Sequence, residues 1–294
     1  MRLRAAAPGK VNLSLFLGGT RADGRHRLVT LFQSLSLADE LELEVTEDAV
    51  DTVECRGVDG ENLAATALAA LRARGWDGPP VRIVISKRIP VAAGMAGGSA
   101  DAAATLRLAM ALAPGRAEEV DQIAAELGAD VPAQLLPGLA LGTGAGELVE
   151  HFEPLPEHAY VVLPADVELS TPEVFREADR LGLPREQSVL EARYAELVEV
   201  LGSGRRLPEH LLINDLQPAA ISLCPWCADA LAAVREAGAE HALVSGSGPT
   251  VVGIWWGAGA RGRARDAAER LRADHPRVVV ADPVSAEYGA PSLL

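Results

Sequence analysis

The chain has 294 residues, 49% of them hydrophobic, and a formal net charge of −14 at pH 7. This composition suffices for a buried core and argues against disorder along the whole length. The negative charge disfavours attachment to nucleic acid or to anionic membranes, and no apolar run approaches the ~20 residues of a membrane span. The start of the chain lacks the apolar middle of a signal peptide, and three cysteines are too few for a disulfide framework. We therefore expect a cytoplasmic protein.

The first half is predicted to mix strands and helices. Apolar and polar residues alternate as in half-buried strands at residues 41–45 and 81–85, and residues 11–17 are a third strand candidate. Apolar residues at helical spacing predict helices over residues 62–74, 99–113 and 118–127, the first capped by Asn62 and the last ended by Gly128. Residues 138–146 are predicted as a glycine-broken strand or a turn.

The second half begins near Pro154 and alternates strands with helices. Strands are predicted at residues 160–163, 242–245, 251–256 and 278–281, and helices at residues 172–181, 188–201, 225–237 and 264–273. This order predicts α/β pairs on an antiparallel sheet. Residues 285–294 are predicted to be a loose tail.

A glycine-rich segment, PVAAGMAGGSADAA at residues 90–103, follows a predicted strand and opens a predicted helix. Gly94, Gly97 and Gly98 allow a backbone to approach a ligand closely. Ser99 is a good N-cap residue and Asp101 falls in the expected first turn. The free N–H groups of such a helix start bind anions, so the segment predicts a phosphate site, with a plain tight turn as the alternative. Neither a Walker A loop nor a dinucleotide fingerprint fits its spacing.

Two further segments accompany the loop, PGKVNL at residues 8–13 and VSGSGPT at residues 244–250. The order of the three resembles the GHMP kinases, a family of small-molecule kinases. Four more segments are similar to one group of that family, which phosphorylates a cytidyl diphosphate sugar alcohol: ADGRHRLVTLFQ at 22–33, GADVP at 128–132, STPEVF at 170–175 and NDL at 214–216. Arg25 stands where that group usually has Tyr, and Ala92, Ala93 and Ala96 stand in a loop often richer in glycine.

The resemblance implies an α+β, two-domain GHMP kinase fold with the active site in the cleft between the domains. A ribosomal-protein-S5-domain-2-like domain would span residues 1–152, and a ferredoxin-like domain residues 153–294. It further implies ATP with Mg²⁺, a small-molecule substrate of the non-mevalonate isoprenoid route, no nucleic acid or membrane partner, and a monomer or homodimer. ATP would lie on the loop, on Pro90, Val91, Ala92, Ala93, Gly94, Met95, Ala96, Gly97, Gly98, Ser99 and Ala100. No protein metal-ligand set is predicted, although Ser99 is a candidate Mg²⁺ ligand.

Lys10 and Asp130 are the catalytic residues that the resemblance implies. Asp130 would take the proton from the attacking hydroxyl, and Lys10 would keep that carboxylate ionised. Only two of the 27 basic residues are lysine, which makes a retained ammonium notable. From the residues alone, Asp130 also fits a turn aspartate and Lys10 a strand-end charge. Lys87, the second lysine, is interpreted as an exposed charge at the end of a strand.

The substrate-binding residues implied by the resemblance are Asn12, Arg25, His26, Thr171 and Phe175. A cytosine would stack on Phe175 near His26, and Arg25 would offer a second flat face. Ordinary core packing is the alternative for Phe175, and a strand-edge position the alternative for Asn12.

Two other interpretations concern the whole chain and its cysteines. Another acceptor within the family, such as homoserine or mevalonate, and a catalytically silent nucleotide-binding regulator are the competing functions, and Lys10 together with Asp130 argues against silence. The Cys224–Cys227 segment is interpreted as structural rather than as a zinc or redox site, with Pro225 at the first helical position.

Overall fold

The computed structural model describes residues 1–56, 62–90 and 94–294. Seven strands form one sheet: β1 (Arg2–Thr20), β2 (His26–Val45), β3 (Thr52–Cys55), β4 (Val81–Ser86), β5 (Leu139–Thr143), β6 (Leu148–Phe152) and β11 (Ser292–Leu293). Its order is β11-β1-β2-β4-β3, and β5 pairs with both β2 and β6. A second, four-stranded sheet has the order β10-β7-β9-β8, with β7 (His158–Leu163), β8 (His241–Val244), β9 (Val251–Trp256) and β10 (Val279–Ala281). All pairings in this second sheet are antiparallel, as predicted.

Nine helices accompany the sheets within the described residues. They are α1 (Leu63–Ala73), α2 (Gly97–Leu112), α3 (Ala117–Leu127), α4 (Val131–Leu135), α5 (Thr171–Arg180), α6 (Gln187–Gly202), α7 (Gln217–Leu223), α8 (Trp226–Glu236) and α9 (Ala260–Leu271). The helices predicted in the sequence are confirmed, with ends shifted by up to four residues. The sequence patterns missed α4 and α7, both of which are short. No helix in these residues has the length and apolar character needed to cross a membrane.

The long hairpin of β1 and β2 positions the amino-terminal motif. The pairing shifts register between Pro8 and Lys10 and again between Asn12 and Ser14, and such β-bulges redirect nearby side chains. Because side chains two residues apart share one face of a strand, Lys10 and Asn12 point the same way. Both are buried, so the hairpin delivers two polar groups into the interior.

Helix α2 is a buried, alanine-rich helix that follows the loop at residues 90–96. We call this loop the phosphate loop after its predicted role. Ala100, Ala102, Ala103 and Ala104 have no exposed surface, and α2 contacts β1, β2, α1, α3 and α4. Small side chains let these elements approach closely, which fixes the start of α2 relative to the sheet. This packing holds the start of α2 in place.

Two expectations about helix starts are wrong. The N-cap of α2 is Ala96, in the left-handed region at φ 54°, and the helix begins at Gly97. Ser99 is therefore the third helical residue, and Asp101 lies beyond the first turn. Pro225 is the N-cap residue of α8 rather than its first helical residue.

The prediction of a loose tail at residues 285–294 is also wrong. The segment forms a 3₁₀ turn (Ala286–Gly289) and then strand β11, which pairs with β1 at Leu3 and Arg4. The Tyr288 hydroxyl donates to the carbonyl oxygen of Ser36 at 2.9 Å. The tail is ordered because it covers an edge strand whose backbone groups would otherwise lack partners.

Candidate active site

A cavity of about 530 Å³ lies between the amino-terminal hairpin, the phosphate loop, α5 and the turn after β8. Several of the predicted site residues line it: Lys10, Asn12, Pro90, Gly94, Met95, Ala96, Gly97, Gly98, Ser99, Asp130, Thr171 and Phe175. Ala100 is fully buried behind this wall. Val91, Ala92 and Ala93 lie outside the described residues. Most of the predicted nucleotide, acceptor and catalytic residues thus meet around one space, whereas Arg25 and His26 are not among the residues that line it.

Lys10 and Asp130 face each other in this cavity. Lys10 Nζ is 3.6 Å from Asp130 Oδ2, and the side chain of Lys10 is 6% exposed whereas that of Asp130 is 36% exposed. Lys10 Nζ also donates to Asn12 Oδ1 at 2.7 Å. The backbone N–H of Lys10 donates to the carbonyl oxygen of Met95 at 3.1 Å, which ties the ammonium to the phosphate loop. Asp130 precedes α4 without a side-chain capping bond, so its carboxylate is available to a ligand.

A chain of hydrogen bonds fixes Asn12. Its Nδ2 donates to Thr30 Oγ1 at 2.7 Å, and the Thr30 hydroxyl donates to the carbonyl oxygen of Ser14 at 2.8 Å. The backbone N–H of Asn12 donates to Ser245 Oγ at 3.2 Å. These bonds orient Asn12 Oδ1 toward Lys10, and they connect the first strand to the turn after β8.

The phosphate loop and the turn after β8 fit against each other at glycines. Gly94 adopts φ +71°, and a Cβ atom there would lie 2.4 Å from the carbonyl oxygen of Gly248. Only glycine satisfies both conditions. Asn214 Nδ2 donates to the carbonyl oxygens of Val244 and Gly246, at 2.7 Å each, and so holds the turn. Gly97, Gly98 and Ser99 at the start of α2 line the cavity, and the first N–H groups of a helix, which have no partner within it, are able to bind anions.

The interpretation of Lys87 as an exposed strand-end charge is wrong. Lys87 Nζ donates to Asp39 Oδ2 at 2.5 Å and to Asp101 Oδ2 at 2.7 Å, and both carboxylates are nearly fully buried. Burial raises the pKa of the Asp101 carboxyl to about 7, against the opposing effect of Lys87. Asp101 Oδ1 has no hydrogen-bond partner. Lys87 therefore fastens α2 to the sheet beside the loop, and its rarity as a lysine was the signal that could have revealed this.

The residues predicted to recognise the base are only partly assembled. The rings of His26 and Phe175 lie 5.1 Å apart, centre to centre, and Thr171 Oγ1 is 2.9 Å from Ser247 Oγ. His26 Nε2 lies 2.8 Å from Asp179 Oδ1, a partner that the sequence analysis missed although Asp179 is one helical turn beyond Phe175. Arg25 instead pairs with Asp23, Nε to Oδ2 at 3.2 Å, and does not line the cavity.

Within the described part of the chain, no group of three or more His, Cys, Asp or Glu side chains is arranged to hold a metal ion. A divalent cation bound with a nucleotide takes most of its ligands from phosphate and water. Ser99 and Asp130 supply oxygen atoms to the cavity wall, and hard oxygen donors suit Mg²⁺. The donor set therefore fits a cation that arrives with its nucleotide.

Comparison with known proteins gives two family matches. A family model described as GHMP kinases N terminal domain matches residues 62–138, and one described as GHMP kinases C terminal matches residues 192–274. A relative from Streptomyces coelicolor, named 4-diphosphocytidyl-2-C-methyl-D-erythritol kinase, is 45% identical over 267 residues, covering 85% of this chain and 86% of its own. A relative of the same name from Thermobifida fusca is 43% identical over 286 residues and covers 90% of both chains.

Solved structures agree with these matches. The crystal structure of 4-(cytidine 5'-diphospho)-2C-methyl-D-erythritol kinase has a TM-score of 0.75 at 35% identity, and the match covers 95% of this chain and 98% of that one. Homoserine kinase from Cytophaga hutchinsonii has a TM-score of 0.69 at 18% identity, covering 100% and 97%, which is a likeness of fold alone. The predicted two-domain fold is confirmed, and the chain belongs to the GHMP kinase family.

Proposed function

We propose that this protein is an ATP-dependent kinase that phosphorylates the 2-hydroxyl of 4-diphosphocytidyl-2-C-methyl-D-erythritol in the non-mevalonate isoprenoid route. The relatives at 43–45% identity carry the name of that kinase. The observation that carries the chemistry is the Lys10–Asp130 pair, 3.6 Å apart, facing a helix start suited to phosphate across one cavity. The substrate is thus proposed from the relatives, and the reaction type from the geometry.

Asp130 is proposed as the general base. Its carboxylate is accessible from the cavity and accepts the proton of the attacking hydroxyl. The new oxygen–phosphorus bond forms as the bond between the γ-phosphorus and the bridging oxygen breaks, and that oxygen leaves with ADP. The ammonium of Lys10 lies beside that carboxylate and stabilises negative charge on the transferring phosphoryl group. Phosphoryl transfer depends on such positioning and charge stabilisation more than on covalent chemistry by the protein. Asn12 holds Lys10 through its Oδ1, and the remaining donor capacity of Lys10 is directed at the substrate.

The triphosphate of ATP is assigned to the loop and to the first N–H groups of α2. These groups bind phosphate oxygens locally in a protein whose net charge is −14 and whose overall field opposes anions. Ser99 would hold the Mg²⁺ ion that accompanies ATP through its hydroxyl. When bound, that ion neutralises charge on the phosphates.

The cytidyl group is assigned to the opposite end of the cavity, against Phe175. The neighbouring His26 and Thr171 offer hydrogen bonds, and stacking on an aromatic face suits a flat base. The Arg25 guanidinium can stack on the base only if its ion pair with Asp23 breaks. We therefore propose that Arg25 contributes less to binding the cytidyl group than Phe175 does.

The remaining parts of the proposal follow from the same site. Residues 1–152 and 153–294 are proposed as its two domains. The first range supplies six strands of the seven-stranded sheet, and the second supplies the four-stranded sheet together with β11 of the first sheet. One chain supplies every residue named, so a monomer or a homodimer serves equally. A negative net charge suits a small-molecule enzyme without nucleic-acid or membrane partners, and a supply of ATP points to the cytoplasm.

A panel of acceptors tests the proposal against other members of the family. ADP release from ATP is measured with the cytidyl substrate, with homoserine and with mevalonate, each with and without added CDP. Of the three acceptors, we expect only the cytidyl substrate to support turnover. We expect CDP to inhibit that turnover and an excess of the cytidyl substrate to overcome the inhibition. Turnover with homoserine or mevalonate, unaffected by CDP, would leave the fold assignment intact and overturn the proposed substrate.

A further inference from the structure

Cys224 and Cys227 are placed for a disulfide that the kinase reaction does not use. Cys224 ends α7, and Cys227 is the second residue of α8. The backbone N–H of Cys227 donates to the carbonyl oxygen of Cys224 at 3.0 Å, which closes a four-residue turn. Such a turn keeps its terminal Cα atoms within about 7 Å, and disulfides span about 4.4–6.8 Å.

The two thiols differ in access. Cys224 is 7% exposed and Cys227 is fully buried, while the flanking Leu223 and Pro225 are exposed. This difference in residue exposure makes Cys224 the thiol that we expect a small reagent to reach first. Cys227 lies behind it, where it can attack the Cys224 sulfur once that atom has been modified. This arrangement is that of an attacking and a resolving cysteine.

Cys227 connects this pair to the cavity. Its Sγ donates to the carbonyl oxygen of Pro249 at 3.6 Å. Pro249 follows Gly248, whose carbonyl oxygen packs against Gly94 of the phosphate loop. At the other end of the same turn, a Cβ on Gly246 would lie 3.0 Å from Asn12 Oδ1. The hydrogen-bond state of Cys227 thus acts on a turn that contacts the proposed ATP site.

We propose that Cys224 and Cys227 form a reversible dithiol–disulfide pair, oxidised by a low-molecular-weight disulfide, and that oxidation weakens ATP binding through the turn at residues 246–249. The Cys224 thiolate attacks one sulfur of the small disulfide, which joins that sulfur to Cys224 and releases one small thiol. Cys227 then attacks Cys224 Sγ and releases the second small thiol. Two protein thiols are oxidised and one small disulfide is reduced to two thiols. Cys227 loses the hydrogen that it donated to Pro249.

Peptide mass spectrometry tests the covalent step on the full chain. The reduced protein is incubated with oxidised glutathione and digested with trypsin, which leaves both cysteines in one peptide, residues 207–235. We expect that peptide to lose two hydrogen atoms and to regain them with dithiothreitol. Cys55, which has no neighbouring cysteine, serves as the internal comparison and can form only a mixed disulfide with glutathione. Persistence of both thiols, or glutathione held on Cys224 without resolution, would overturn the inference.

ATP binding tests the coupling, which rests on the proposed ATP site. Calorimetry on the reduced protein comes first, because absence of binding there would reject the proposed function and not the thiol pair. Oxidation is expected to raise the dissociation constant about twofold to fivefold, as for loss of one weak hydrogen bond, and dithiothreitol to reverse it. Because Cys55 lines the cavity and can itself carry glutathione, oxidant responses are compared in a Cys55→Ser background. Cys224→Ser in that background keeps the Cys227 donor and is expected to show no response to oxidant. Cys227→Ser, checked by melting temperature, supplies a hydroxyl donor and is expected to be equally unresponsive. An unchanged dissociation constant in fully oxidised wild type, or an equal change in Cys224→Ser, contradicts the coupling.

Discussion

Asp130→Asn separates the proposed base from the packing around it. The substitution keeps the shape of the side chain and removes its charge and its ability to accept a proton at neutral pH. Loss of a general base typically lowers kcat by about 10²–10⁴-fold, so we expect a fall of at least about 100-fold. ATP affinity should change little, because the phosphate-binding N–H groups belong to another segment.

The structure also sets an expectation for stability. Lys10 Nζ and Asp130 Oδ2 are 3.6 Å apart, and near that separation Coulomb's law gives about 1 kcal/mol in water and about 4 kcal/mol at the effective dielectric constant near a protein surface. The Lys10 side chain is only 6% exposed and that of Asp130 is 36% exposed, so the value for water is a lower bound. The free energy of unfolding should therefore fall by about 1–4 kcal/mol, and urea unfolding shows whether the variant is folded where turnover is measured.

Steady-state ADP release, calorimetric ATP binding and urea unfolding measure the three quantities on one preparation. Asp266→Asn is the matched control, since Asp266 is an exposed carboxylate on α9 and does not line the cavity. It should retain near wild-type turnover. More than about a tenth of wild-type turnover in Asp130→Asn would refute the assignment of the base, or show that chemistry does not limit the rate.

Three further changes probe the loop, the base pocket and the buried charges. Gly94→Ala should weaken ATP binding and lower the melting temperature, because its Cβ would meet a carbonyl oxygen at 2.4 Å in a left-handed backbone. Gly182→Ala is the matched control, since Gly182 has a similar φ of +69° with no atom within 4 Å of its Cβ and does not line the cavity. It should leave ATP binding unchanged and lower the melting temperature less, and equal effects would contradict the close contact. Phe175→Ala should raise the KM for the cytidyl substrate by the equivalent of about 1–3 kcal/mol without changing the KM for ATP. Arg25→Ala should give a smaller increase, and a larger one would contradict the proposal that Phe175 contributes more to binding the base than Arg25. Asp101→Asn removes a carboxyl whose pKa is raised by burial from 3.8 to about 7. Because the folded state then binds the proton more tightly than the unfolded state, wild type should lose stability as pH rises across that interval. The variant should lose less, as judged by melting temperature, and parallel curves would count against the buried carboxyl.

Local sequence patterns predicted most of the elements because their signals are local. Strand β4 shows the alternation expected of a strand, and Gly128 ends α3 as anticipated. The prediction of a loose tail was wrong because residues 285–294 are ordered by a pairing with β1, at the opposite end of the sequence. The prediction of Ser99 as the N-cap of α2 was wrong because the N-cap is Ala96, in a left-handed conformation. Alanine rarely adopts this conformation, so the sequence does not indicate it.

The site was predictable where a motif coincided with a chemical requirement. Lys10, Asp130 and the glycines of the loop meet that condition, and they line one cavity. The role of Lys87 was not predictable from a motif, since it depends on two carboxylates that are 48 and 14 residues away in the sequence. His26 and Asp179 are separated by 153 residues in the sequence, so their pairing is evident only in the folded structure.

A crystal structure of the complex with a non-hydrolysable ATP analogue and the cytidyl substrate tests the central claim most directly. We expect the triphosphate on the N–H groups at the start of α2, the cytosine against Phe175, and the 2-hydroxyl within hydrogen-bond distance of Asp130 Oδ2, with Lys10 Nζ beside the transferring phosphate. A triphosphate bound away from the loop, or a 2-hydroxyl beyond the reach of Asp130, would contradict the account.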